Sequence, residues 1–163
     1  MGMILKKPEV RIVEFTLMHR EIKVVDIEMD SFYHIKSIKN IYAAAHMPVG
    51  TMQKQDADQQ ALAKWWSRRT IPKGRTRLQE VLDIRNILTS KELLKDSFGL
   101  SLSDQYWLKP KDSSLSWEQI QFFDNDFSEQ FGEMMLGNLE ITECFDTMTP
   151  DVTLEGRMAK AWK

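Results

Sequence analysis

The chain has 163 residues, 42% of them hydrophobic and 28% charged, with a net charge of −2. That is enough apolar content for one compact unit and too balanced a composition for wholesale disorder. The single cysteine, Cys144, excludes an intrachain disulfide and a cysteine-based zinc cluster, which fits a reducing cytoplasm.

The N-terminal run MGMILKKPEVRIVEF has neither an apolar h-region nor a small-residue cleavage site, so it is not a signal peptide. Lys6 occupies the position where a myristoylation signal needs Ser or Thr. No apolar run approaches the roughly 20 residues of a membrane span. The expectation is a soluble cytoplasmic protein.

The first third reads as strands. VRIVEFTLM and EIKVVDIEM are rich in β-branched residues, and the short His19–Glu21 connection implies an antiparallel hairpin. Val24-Val25 breaks the alternation, which calls for a bulge or a strand covered on both faces. FYHIKSIKNIY adds a third strand with Tyr33, Ile35 and Ile38 inward, and MPVGT (Met47 to Thr51) is a closing turn.

From there the pattern is helical. DADQQALAKWWSRR carries Asp56 and Gln59 in capping-box spacing and stops before Ile71-Pro72. TRLQEVLDIRNIL repeats the device with Thr76 and Gln79, TSKELLKDSFG with Thr89 and Glu92, and SWEQIQFF with Ser116 and Gln119. Gly99 suits a C′ position. FSEQFGEMMLG forms a further apolar helix. The fold class is therefore α+β: a small N-terminal antiparallel sheet over 1–50, then a bundle of short helices over 51–163 packed on it.

Charge is segregated. Between Gln59 and Gln79 the bases Lys64, Arg68, Arg69, Lys73, Arg75 and Arg77 stand beside Trp65 and Trp66, whereas Asp112 to Gly156 holds no Lys or Arg. Two readings of the basic stretch stay open. Lys64, Trp66, Arg68, Arg69, Lys73, Arg75 and Arg77 form a helix-turn-helix-like surface that grips phosphates and stacks on bases. Alternatively the same basic surface docks on an acidic protein surface, the chain's own acidic half or that of another copy, with Trp65 and Trp66 mostly in the core. A pI near 5.9 is low for a DNA reader.

Other constellations are weak. The acids in FDNDFSEQFGE lack the glycine and terminal-Glu spacing of an EF-hand, and suit a helix N-terminus instead. His19, His34 and His46 are scattered and read as surface residues. Acidic neighbours make Cys144 a poor nucleophile. No P-loop, dinucleotide fingerprint or kinase loop occurs, so neither catalytic residues nor a cofactor or metal is expected.

The stretches FTLMHREIKVVDIEMD, HMPVG, LAKWWSRRTIPKGRTRLQEVL, SFGLSLSDQYWLKP, LSWEQIQFFDNDFSEQFGEMMLG and TPDVTLEGRMAKAWK, in this order, resemble the region before the kinase core of bacterial HipA-like Ser/Thr kinase proteins. The resemblance spans almost the whole chain, and LSLSDQYWLKP with WEQIQFFDNDFSE is its most specific pair. It implies a strand hairpin and a helical linker leading into a nucleotide-binding lobe. The family's ATP-contacting lysine and catalytic loop lie beyond the last residue, so no catalytic residue transfers. Arg157 departs from the aromatic residue expected there. The implied role is a non-catalytic regulatory or protein-interaction module from toxin–antitoxin or phage-related loci, as an N-terminal domain or a stand-alone relative. Within LSLSDQYWLKP, Ser101 or Ser103 caps a turn, with Asp104 nearby and Tyr106 and Trp107 buried.

Overall fold

The computed structural model describes residues 11–70, 79, 82–83, 86, 89–101, 104–121, 150–151 and 160–161. Strands β1 (Val13–His19), β2 (Ile22–Met29) and β3 (Ile35–Ile41) form the expected meander. A 3-10 turn (Ala44–His46) follows, then β4 (Met52–Gln53) and β5 (Asp56–Ala57). The remaining elements are α1 (Gln59–Arg68), α2 (Ser90–Asp96), β6 (Tyr106–Pro110) and α3 (Trp117–Ile120), with the short pair β7 (Pro150–Asp151) and β8 (Lys160–Ala161).

The main sheet is four-stranded and antiparallel, in the order β3-β2-β1-β6. The protein is thus a small α+β fold. Its fourth strand comes from YWLKP, within the segment read from the sequence as helical. Pro110 is tolerated there because it ends an edge strand, where a missing N–H costs little.

The Val24-Val25 irregularity is a bulge. Leu17 pairs with Val25 and Met18 with Lys23, so Val24 is the extra residue, and both valines are fully buried. Phe15, Leu17, Val25, Ile27, Met29, Ile35 and Leu108 line one sheet face and pack on Leu62 and Trp66 of α1 and Leu94 of α2. At one end of the opposite face, Met18 and Trp107 pack with Leu100, Trp117 and Ile120.

The α1 cap falls two residues later than expected. Asp56 belongs to β5, and Asp58 accepts from the Ala61 N–H at 3.0 Å. The short β4–β5 hairpin consumes Asp56 before the helix can start. Thr89 caps α2 through the Glu92 N–H at 3.4 Å, and the Ser116 N–H donates to Gln119 at 2.9 Å ahead of α3.

The end of α2 also shifts. Phe98 N–H bonds Lys95 C=O at 2.9 Å and Gly99 N–H bonds Leu94 C=O at 2.7 Å, a Schellman pattern that puts Phe98 at C′ and Gly99 at C″. Both have positive φ, 55° and 68°. A Cβ on Gly99 would lie 2.6 Å from the Trp66 ring, so packing as well as backbone demands glycine.

Candidate interaction surface

The basic stretch is split by the helix it begins on. Leu62, Trp66 and Arg69 follow at i, i+4 and i+7, and all three are at most 1% exposed. Lys64 and Arg68, four residues apart, face solvent on the other side of α1. Lys73, Arg75 and Arg77 lie outside the described residues, as do most of the expected 76–88 helix, the acids of FDNDFSEQFGE, the FSEQFGEMMLG helix and Cys144.

Trp66 donates its indole N–H to Tyr33 C=O at 2.9 Å. Arg69 donates to Gly99 C=O from Nε at 3.0 Å and Nη2 at 2.8 Å, and grips the Asp104 carboxylate with both terminal nitrogens. Its guanidinium lies 4.6 Å from the Trp65 ring centroid. Every described donor of this arginine is thereby directed inward, and its planar fork is used within the fold. The structure turns Trp66 and Arg69 away from any partner and leaves Lys64 and Arg68 available.

The segment LSLSDQYWLKP supplies the other half of that clamp. Asp104 also accepts from the Tyr106 N–H at 3.1 Å, which fixes the entry to β6. Trp107 is 1% exposed, and its indole N–H reaches Arg20 C=O at 2.8 Å. Tyr106 donates its hydroxyl to His46 C=O at 3.0 Å. These aromatics anchor a strand rather than a turn, while Ser103 is outside the described residues.

Beyond the Met18–Trp107 cluster, the outer sheet face is polar and open, with a cleft of about 1000 Å³. Cross-strand register builds it in rows. One row runs Lys109, Thr16, Asp26, ending near Asn40 and Tyr42; the next runs from Glu14 to Glu28 to Ser37. Asp26 accepts from Thr16 at 2.7 Å, Tyr42 at 2.5 Å and Asn40 at 3.4 Å. Burial raises the Asp26 pKa, but these three hydrogen bonds outweigh it and hold the carboxyl below its usual range.

Glu14 and Glu28 are directly opposed, and each has its own cation. Lys111 pairs with Glu14, and Lys39 meets Glu28 at 3.1 Å. The Ser37 hydroxyl and then Lys39 lower the Glu28 pKa, while Glu14 raises that of Lys111. Lys23 sits 4.2 Å from the Tyr42 ring centroid. The result is a surface of alternating sign. The mixed signs of EIKVVDIEM and the two lysines of IKSIKN hint at it, but the rows across the strands need the register.

Among the described residues no helix is long and apolar enough to cross a membrane, and no group of three or more His, Cys, Asp or Glu is placed to hold a metal ion. No protein-family model matches the chain, and searches of curated proteins and of solved structures return no match.

Proposed function

We propose that this chain is a non-catalytic interaction module of a HipA-like kinase system, cytoplasmic and bacterial, that binds a protein partner through the outer face of its sheet. The observation that carries the reading is the alternation of charge on that face. Lys39 and Lys111 stand among Glu14, Asp26 and Glu28, so the surface complements another two-signed surface. That face sets Lys23, Lys39, Lys109 and Lys111 against Glu14, Glu21, Asp26 and Glu28, so it lacks the excess of positive charge by which a protein grips a phosphate backbone. The family resemblance supplies the kinase lobe as the partner class.

The test is a pull-down from the native cell with nuclease present, washed at low and high salt, with captured proteins identified by mass spectrometry. The expected result is a HipA-like kinase lobe, retained by the wild type and lost with Lys23→Glu plus Lys109→Glu. Retention by that variant overturns the choice of surface.

A second reading rests on Lys64 and Arg68, which share an exposed face of α1. It is nucleic-acid binding, extended by Lys73, Arg75 and Arg77. Capture of nucleic acid alone before nuclease, released by salt and lost with Lys64→Ala plus Arg68→Ala, would install it in place of the first.

A further inference from the structure

His19 ends β1 and His46 ends the 3-10 turn, yet their Nδ1 atoms are 2.9 Å apart. The ring centroids are 5.2 Å apart with the planes tilted by 49°. The centroid separation exceeds the N–N distance by about one ring radius at each end. The contact therefore runs nearly along the line joining the ring centres. That is the geometry of one N–H donating to one lone pair. Two imidazoles chelating a metal would instead aim both lone pairs at a point off that line.

Tyr106 holds both partners. Its ring stacks on His19 at 4.7 Å and 23°, and its hydroxyl binds the His46 carbonyl. The turn they secure carries Met47, 6% exposed in the main core, and is tied back to Val24 C=O by the N–H groups of Tyr42 and Ala43.

We propose that His19 and His46 form a one-proton clamp that fastens the 43–48 turn to the end of the sheet at neutral pH and releases it in acid. With no net charge, one Nδ1–H donates to the other Nδ1. A first added proton goes on a ring nitrogen remote from the contact and leaves that bond in place. A second puts an N–H on both facing nitrogens, and the contact becomes a clash between two cations.

The charged and titratable surroundings favour this behaviour. Burial lowers the His19 pKa most, His46 and Arg20 lower it further, and Asp104 opposes them. Asp104 is already engaged by Arg69 of α1, and Tyr106 of β6 presents a neutral ring. Folded His19 therefore binds a proton less readily than it does in the unfolded chain. Its contribution to stability is complete above pH 6.5 and is lost as pH falls through the lowered folded value.

The test is ring-nitrogen NMR of the whole chain from pH 8 to pH 4.5, with amide exchange measured over the same range. The expected result is a His19 titration below the ordinary range that moves up in His46→Leu. Exchange across 43–48, corrected for its intrinsic pH dependence, should rise by about tenfold or more in acid while central β1–β2 amides stay protected. A His19 titration unmoved by His46→Leu, or unchanged exchange across 43–48, overturns the proposal. If His46→Leu fails to fold, the wild-type exchange profile decides alone.

Discussion

Arg69 is the residue on which the two readings of the basic stretch part most sharply. Replacing it with Met keeps the bulk over Trp65 but removes the two Arg69 donors to Gly99 C=O and leaves Asp104 with the Tyr106 N–H in place of its cation. Breaking one side of a buried ion pair costs about 3–5 kcal/mol. Asp104 keeps 26% side-chain exposure and recovers some hydration, which points to the lower end, about 3 kcal/mol, for Arg69→Met. Asp104→Ala strands a guanidinium that is 1% exposed and belongs at the upper end, about 4–5 kcal/mol. The double variant should cost less than the sum by about 1–3 kcal/mol, since the two share one interaction. Urea unfolding followed by tryptophan fluorescence reads this, because Trp66, Trp107 and Trp117 are all buried. Arg69→Met within about 0.5 kcal/mol of wild type, coupled to a loss of nucleic-acid affinity, would refute the structural assignment.

Gly99→Ala places a methyl against the Trp66 ring at positive φ, and should destabilise the fold by about 2–4 kcal/mol in the same assay, combining overpacking with backbone strain; a neutral result would mean the α2–α1 packing is wrong. Burial pushes the Asp30 pKa up, yet the His34 N–H, the Lys36 amine and the Phe32 N–H bring it down from 3.8 to about 2. Its stabilising effect is present above the unfolded value and lost as pH falls from 3.8 towards 2, so Asp30→Asn should flatten the acid limb of the stability–pH curve. An unchanged acid limb would mean the Asp30 network does not form.

The local elements were legible where local chemistry decides them. Runs of β-branched residues mark β1 and β2, the Val24-Val25 phase break marks the bulge, and Thr89/Glu92 and Ser116/Gln119 mark two helix starts, because periodicity and capping act within a few residues.

The candidate surface was not legible, because it is made by pairings far apart in sequence. YWLKP has no alternation and ends in proline; it is a strand only because β1 offers a free edge about 90 residues earlier, along which cross-strand bonds recover the cost of closing the loop. Whether Arg69 meets solvent or Asp104 depends on a residue 35 positions away. His19 and His46 are scattered in sequence and touch only after the sheet and the turn are assembled. Composition and periodicity determine β1 to β3 and the helical character of α1 to α3. Register and packing decide which charges are consumed inside the fold and which remain on its surface, since a charge leaves water only when a partner is brought to it.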